Sequence, residues 1–83
     1  MKDWLVYLLR CSDNSLYCGV TKNMEARLAK HNEGMASKYT RSRLPVKVVA
    51  VRDNISKRDA FRLEYQIKKL PADKKISTLT QKN

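Results

Sequence analysis

Two apolar stretches, separated by a cluster of turn-forming residues, open the chain and constrain its fold more than any other feature. Trp4 to Arg10 (WLVYLLR) is rich in β-branched and aromatic residues, and Leu16 to Val20 (LYCGV) follows the turn-forming residues 12–15 (SDNS). β-Branched and aromatic residues favour strands, whereas Ser, Asp and Asn favour turns. The pattern therefore predicts a β-hairpin at the start of the chain.

A helix and a third strand are predicted after the hairpin. Thr21 or Asn23 is placed to cap the helix, and Gly34 is its natural end. The polar, basic segment 35–44 predicts a loop with one helical turn, and the apolar run 46–51 predicts the third strand.

A second, longer helix begins near Ser56, which together with Asp59 resembles a capping box. Apolar residues then recur at helical spacing: Ala60, Leu63, Ile67 and Leu70. Pro71 ends this helix, and a short amphipathic segment follows it. The order ββαβαα predicts an α+β domain, in which one sheet of three strands carries the helices.

The length of the chain predicts a single domain. Its 83 residues amount to 9.6 kDa, and we expect one domain over 1–83, with a core at about 4–70 and a short C-terminal helix and tail at 71–83. No apolar run approaches the roughly 18–20 residues of a membrane span. The opening residues lack the cleavage site of a signal peptide. We therefore expect a cytoplasmic protein.

The two cysteines, Cys11 and Cys18, are too few for a disulfide-stapled scaffold. We interpret both as reduced residues of the strands. The alternative is a disulfide that clips the hairpin.

The charge distribution indicates a polyanionic partner. The net charge is +10, and no acidic residue occurs between Gly34 and Arg52. A basic face of this kind is typical of nucleic-acid binding, and the residues expected to contact phosphates are Lys38, Arg41, Arg43 and Lys47. The alternative is a solvated basic face that keeps the protein soluble. No segment combines a wide apolar stripe with a basic face, which argues against a membrane surface.

Glu64 lies on or beside the apolar stripe of the second long helix. A buried carboxylate needs a partner or a metal ion, or its pKa rises. One interpretation is an ion pair with Arg27, Arg62 or Lys68. The other is a hard oxygen ligand for a divalent cation.

Arg27 and His31 are four residues apart on the first helix and therefore share a face. They are either a solvent-exposed basic pair or two groups that look along the sheet. His31 is also the one side chain here whose unperturbed pKa lies near neutral pH.

The relative position of Tyr7 and Tyr17 depends on the register of the hairpin, because a one-residue slip moves every side chain to the other face. A two-residue loop puts the tyrosines on opposite faces. A three-residue loop (Asp13 to Ser15) pairs Cys11 with Tyr17 and Leu9 with Gly19, which puts both tyrosines on one face. We expect the loop of odd length.

These residues form an ordered constellation that resembles the GIY-YIG nuclease superfamily. The first motif stands as Leu5-Val6-Tyr7 and the second as Tyr17-Cys18-Gly19, followed by Arg27, His31 and, on a later helix, Glu64. The chain is most similar to the small, single-domain bacterial members, and the likeness runs from about Trp4 to Leu70.

The resemblance implies a three-stranded antiparallel sheet flanked by helices, and phosphodiester cleavage with one divalent cation, Mg²⁺ or Mn²⁺. By position in the motif, Glu64 matches the metal ligand, and Arg27 matches the arginine that contacts the scissile phosphate. Three further catalytic positions are matched by Tyr7, Tyr17 and His31. Gly19 lets the strand pack closely behind the site.

The chemistry suits these residue types, because a guanidinium and a metal ion stabilise the charge that builds on phosphorus. A tyrosine acting as general base needs a pKa lowered by nearby cations. We expect Arg27 to do this for Tyr7, the favoured base, with His31 receiving the proton onward.

The chain departs from the family pattern at three positions, of which the first two remove no catalytic group and the third bears on catalysis. Leu5 replaces the first glycine, Cys18 replaces an isoleucine, and an asparagine that follows the metal ligand has no counterpart other than Asn83. We expect an endonuclease acting on DNA rather than RNA, selective for structure, in repair or recombination. The alternatives are a non-catalytic nucleic-acid-binding module, or a nuclease subunit whose protein partner supplies specificity.

Overall fold

The computed structural model describes residues 2–81, so Asn83 lies outside the described residues. The elements are β1 (Trp4–Arg10), β2 (Leu16–Thr21), α1 (Met24–Asn32), α2 (Lys38–Arg41), β3 (Lys47–Ile55), α3 (Lys57–Lys68) and α4 (Ala72–Thr80). The strands form one antiparallel sheet in the order β2-β1-β3. The predicted α+β class and the element order ββαβαα are confirmed, with α2 as the one helical turn expected in the loop.

The hairpin has a longer loop than expected. Leu9 pairs with Tyr17 and Tyr7 with Gly19, so the connection spans residues 11–15. The expected three-residue loop is therefore wrong, because backbone bonds from Cys11 N to Ser15 O and from Asn14 N to Cys11 O close a wider turn. The register differs from the expected one by two residues, which leaves each side chain on its predicted face. The odd loop length is confirmed, and both tyrosines lie on one side of the sheet.

The sheet carries helices on both sides. Val6, Leu8 and Cys18 pack on one side against α3 and α4. On the other side, Tyr7, Leu9 and Cys11 pack against residues of α1 and of the segment before β3. The two cysteines lie in different layers and form no disulfide with each other. Cys18 lies on β2 as expected, whereas Cys11 lies just beyond the end of β1.

Local signals account for the ends of the helices. The Asn23 side chain accepts a hydrogen bond from the backbone N–H of Ala26 at the start of α1. Gly34, just beyond α1, has a φ of +77°, a conformation that favours glycine. Ser56 caps α3 by accepting from Asp59 N, and Pro71 stands at the start of α4. Within residues 2–81, no helix has the length and apolar character to cross a membrane.

Candidate active site

Tyr7 and His31 meet in the layer between the sheet and α1. The Tyr7 hydroxyl lies 2.8 Å from His31 Nε2, and both side chains are fully buried. Tyr7 comes from the middle of the central strand, and His31 comes from the last turn of α1. The strand and the helix thus bring two residues of the predicted constellation into direct contact.

Thr40, on α2, holds the other side of the imidazole. Its hydroxyl lies 2.8 Å from His31 Nδ1, and Thr40 is itself fully buried. The same hydroxyl can donate to the Ser37 carbonyl oxygen at 3.4 Å. It then accepts from Nδ1–H, which leaves Nε2 to accept the phenolic proton of Tyr7. Sequence reasoning missed Thr40, since it is a polar residue in a segment interpreted as loop.

Arg27 joins this cluster from one turn earlier on α1. Its Nε donates to the Tyr7 hydroxyl at 3.4 Å. Burial raises the pKa of Tyr7 above its ordinary value, and the hydrogen bond and charge of Arg27 offset only part of that effect. Arg27 thus lowers the pKa of Tyr7 as expected, but the loss of solvent outweighs this one guanidinium, so the net pKa lies above the ordinary value. Burial, aided by the charge of Arg27, also lowers the pKa of His31.

Tyr17 packs beside this pair and is partly exposed. Its ring centroid is 6.5 Å from that of Tyr7 and 5.3 Å from that of His31. In residues 2–81 its hydroxyl has no protein hydrogen-bond partner. Tyr17 is thus the tyrosine of the cluster that solvent or a ligand can reach.

Tyr39, which the sequence reasoning did not single out, extends the cluster to the surface. Its ring stacks on Tyr17, with centroids 5.9 Å apart. The Arg43 guanidinium carbon lies 3.9 Å from the centroid of Tyr39, and Arg43 Nε donates to Asp13 Oδ2 at 2.9 Å. The two contacts hold Arg43 in place and offset its charge locally.

The other three predicted phosphate contacts, Lys38, Arg41 and Lys47, are exposed. Lys38 and Arg41 lie on α2, next to the layer that holds His31. Their role in binding nucleic acid stays a prediction.

Glu64 lies on α3, at the edge of the sheet formed by β2. Its side chain is 19% exposed and pairs with Lys68 Nζ at 3.2 Å, so the predicted ion pair with Lys68 is present. Lys68 Nζ lies 6.0 Å from the centroid of Tyr17. Burial, with the nearby Glu64 carboxylate as a second cause, raises the pKa of Cys18 on β2 to about 12. The carboxylate therefore faces β2 and is not turned to bulk solvent.

The five predicted site residues form one cluster of four and one neighbour. Tyr7, Tyr17, Arg27 and His31 are in contact. Glu64 reaches this group through Lys68, and within residues 2–81 no direct hydrogen bond or ion pair joins it to the other four.

A metal ion at this site would have one protein ligand. No group of three His, Cys, Asp or Glu side chains within residues 2–81 could hold an ion. A single carboxylate nevertheless fits Mg²⁺, which keeps several of its waters and binds through one or two carboxylates and substrate phosphates. Glu64 would supply that hard oxygen at the edge of the cluster.

Gly19 makes the packing of Tyr7 feasible. It lies directly opposite Tyr7 on the neighbouring strand. A Cβ at position 19 would stand 2.5 Å from Cζ of Tyr7 and also against its hydroxyl. A residue with a side chain would therefore displace the phenol from His31.

A small antiparallel sheet thus brings an arginine, two tyrosines and a histidine together beside a carboxylate, and the guanidinium and carboxylate suit chemistry at a phosphate. The sequence model of the family described as "GIY-YIG catalytic domain" matches residues 3–77. The chain belongs to the GIY-YIG family, which confirms the resemblance. Membership implies nuclease activity in general terms, the binding of nucleic acid, and the use of a divalent metal.

Bacterial relatives cover nearly the whole chain. A UPF0213 protein of Nitratidesulfovibrio vulgaris is 46% identical over 92% of this chain and 69% of its own length. A UPF0213 protein of Clostridium perfringens is 46% identical over 94% of this chain and 84% of its own length. The solution structure of a UPF0213 protein from Bacillus halodurans has a TM-score of 0.57 and 40% identity, covering 93% of this chain and 82% of that one.

Proposed function

We propose that this protein is a divalent-metal-dependent endonuclease that hydrolyses phosphodiester bonds in DNA, selecting branched, nicked or otherwise distorted structures during repair or recombination. The observation that carries the proposal is the contact of Arg27 with the buried Tyr7–His31 pair, beside the solvent-accessible Tyr17. The two free cysteines, held in separate layers, agree with a reducing compartment such as the cytoplasm.

Arg27 is the phosphate ligand in this mechanism. Its Nε donates to the Tyr7 hydroxyl, which sets the direction of the guanidinium and leaves its remaining N–H groups for the non-bridging oxygens of a phosphate. A planar guanidinium suits the charge that develops on these oxygens in the transition state.

Tyr17 meets the attacking water. We favour it over Tyr7, because Tyr7 is fully buried with its hydroxyl between Arg27 and His31, whereas Tyr17 is partly exposed. The water forms the new bond to phosphorus and gives its proton to the phenolic oxygen of Tyr17, while the hydroxyl proton of Tyr17 passes to solvent. The bond to the leaving oxygen breaks, and that oxygen takes up a proton from solvent. Tyr7 and His31 act as positioning residues for Arg27.

Glu64 would hold the metal ion. When bound, the ion supplies positive charge that stabilises the phosphorane-like transition state. Lys68 pairs with Oε2 of Glu64 at 3.2 Å, so its ammonium would compete with a cation for the carboxylate.

A cleavage assay tests the proposal. Labelled duplex, flap, junction, single-stranded DNA and RNA substrates are incubated with Mg²⁺ or Mn²⁺, and with EDTA as the metal-free control. We expect cleavage that depends on metal and is lost in Glu64→Ala and Arg27→Ala. Absence of cleavage on every substrate would refute the endonuclease.

Two conservative variants separate the tyrosines. Tyr17→Phe removes the proposed base, so activity should fall at least tenfold. Stability should stay unchanged, because the lost hydroxyl has no protein partner in the described residues. Tyr7→Phe leaves His31 Nε2 without its partner and should lower the free energy of unfolding by about 1–3 kcal/mol. Equal activity of wild type and Tyr17→Phe would return the role of base to Tyr7.

The pairing of Glu64 with Lys68 favours a second candidate, a nucleic-acid-binding module without catalysis. A third is a nuclease subunit whose protein partner supplies specificity. Binding by wild type and Glu64→Ala with equal affinity, and no cleavage by either, would select the module. Cleavage that appears only with a co-purifying protein would select the subunit.

A further inference from the structure

A groove with both aromatic and basic walls lies where β2 passes into α1. Its lining includes Trp4 from β1, Lys22, Arg27 from α1 and Phe61 from α3. Arg27 is the proposed phosphate ligand, so the groove opens next to the candidate active site. The cleavage mechanism above makes no use of its aromatic side.

The aromatic wall consists of two rings at the surface. The centroids of Trp4 and Phe61 are 5.7 Å apart, and Phe61 is 45% exposed. A phenylalanine at this exposure gives up much of the free energy that complete burial would provide. An aromatic face is thus available to a ligand.

Lysines flank these rings. Lys22 Nζ lies 5.8 Å and Lys57 Nζ 5.7 Å from the ring centroid of Trp4. Lys22 also pairs with Asp3 at 3.5 Å, whereas Lys57 makes no salt bridge in residues 2–81. A ligand of the groove should therefore carry negative charge as well as a flat apolar face.

We propose that this groove binds an unpaired nucleobase of the strand whose phosphate lies at Arg27. Aromatic side chains bind bases by stacking, and lysines track the phosphate backbone. Within a duplex both faces of a base are covered by its neighbours, so an exposed ring can stack only on an unpaired or terminal base. The substrate class is then nucleic acid with single-stranded or frayed nucleotides at the cleavage point. This inference rests on the proposed function, because Arg27 is taken as the phosphate ligand.

The test is a binding titration followed by the fluorescence of Trp4, the only tryptophan of the chain. A short oligothymidine and a relaxed, covalently closed duplex circle, which has no terminal base, are titrated at equal phosphate concentrations in EDTA, so that no cleavage is required. We expect the oligothymidine to quench Trp4 emission and the duplex to leave it unchanged. Unchanged emission at saturation with oligothymidine would overturn the proposal.

Two alanine variants on α3 provide the matched comparison. Phe61→Ala should weaken the binding of oligothymidine roughly tenfold, the loss expected for one stacked base, and should change duplex binding less than twofold. Tyr65→Ala removes a ring that is 63% exposed one turn further along but does not line the groove, so it should change neither affinity. Equal effects of the two variants, or equal effects on both ligands, would contradict the stacking site.

Other outcomes identify a different role for the groove. A sedimentation coefficient of the wild type that rises with protein concentration would indicate self-association. Loss of that rise in Phe61→Ala would show that a second copy covers the groove and would refute the proposal. Metal-dependent cleavage without quenching would refute the stacking site and support the endonuclease. Quenching without cleavage on any substrate would support the stacking site and refute the endonuclease.

Discussion

At the scale of single residues, the buried hydroxyl of Thr40 determines how His31 presents its ring. Thr40 stands between His31 Nδ1 and the Ser37 carbonyl, and the opposite nitrogen contacts Tyr7. This chain of hydrogen bonds satisfies each member in a layer from which water is excluded. The orientation of Arg27 therefore depends on a residue that the proposed substrate does not touch.

Replacing Thr40 tests this dependence. Thr40→Val keeps the shape but leaves Nδ1–H of His31 without an acceptor, which should lower the free energy of unfolding by about 1–3 kcal/mol. Thr40→Ser restores the hydroxyl and should recover most of the loss. Urea unfolding measures both variants. A valine variant as stable as wild type would show that the hydrogen bond contributes nothing.

The pH dependence of stability follows from His31. Burial lowers the pKa of His31 below its ordinary value of 6.5. Between the two values the unfolded chain binds more protons than the folded one, so stability rises with pH in this range and levels off above about 6.5. We expect the free energy of unfolding to fall as the pH is lowered below about 6.5.

His31→Gln serves as the control for that titration. It keeps polar groups at the site but does not take up a proton, so its stability should vary less than that of wild type over the same pH range. Urea unfolding at several pH values gives the two profiles. Parallel profiles would assign the pH dependence to other groups.

At the scale of secondary-structure elements, the close approach of β1 and β2 at Gly19 positions Tyr7. Gly19→Ala should lower the free energy of unfolding by about 1–3 kcal/mol, the usual cost of overpacking, because its Cβ would meet Cζ of Tyr7 at 2.5 Å. Gly34→Ala is the comparison. Its Cβ would stand 3.5 Å from its nearest neighbour, so only the φ of +77° disfavours this substitution. Thermal unfolding measures both variants. Stability of Gly19→Ala within about 0.5 kcal/mol of wild type would show that the strands separate at little cost.

The elements themselves were largely predictable, because their signals are local. Asn23 and Ser56 cap helices as expected, and Gly34 ends α1. The hairpin register was missed, because the bond from Cys11 N to Ser15 O belongs to one of several loops that the same turn residues allow.

The site residues that belong to sequence motifs were predictable, whereas those held only by tertiary contacts were not. Tyr7, Arg27 and His31 were found through motif spacing, and the structure brings them together. Thr40 and Tyr39 were missed, because their contacts with His31 and Tyr17 join segments distant in sequence. The raised pKa of Tyr7 was missed for a related reason, since its cause is complete burial.

At the scale of the whole molecule, the net charge of +10 predicts strongly salt-dependent binding of DNA. Each phosphate contact contributes about 0.9 to the slope of log affinity against log salt concentration. Lys38→Ala or Lys47→Ala should therefore reduce the slope by about 0.9 each, because both side chains are exposed.

Arg43→Ala should reduce that slope less, because Asp13 offsets its charge and Tyr39 holds it in place. Fluorescence anisotropy at several salt concentrations, with circular dichroism as the control for folding, measures all three variants. Equal slope changes for the three would show that Arg43 leaves Asp13 when DNA binds.

The placement of one thiol in each layer has a further consequence. Cys11 is buried on the Tyr7 side of the sheet and Cys18 on the side of α3, where its pKa of about 12 keeps the thiol protonated. Both residues are only 4% exposed, so alkylation of each thiol should be slow in the folded protein and accelerate when its own layer separates. Brief pulses of such a reagent, read by mass mapping of the two peptides, would therefore reveal which half of the sandwich opens first.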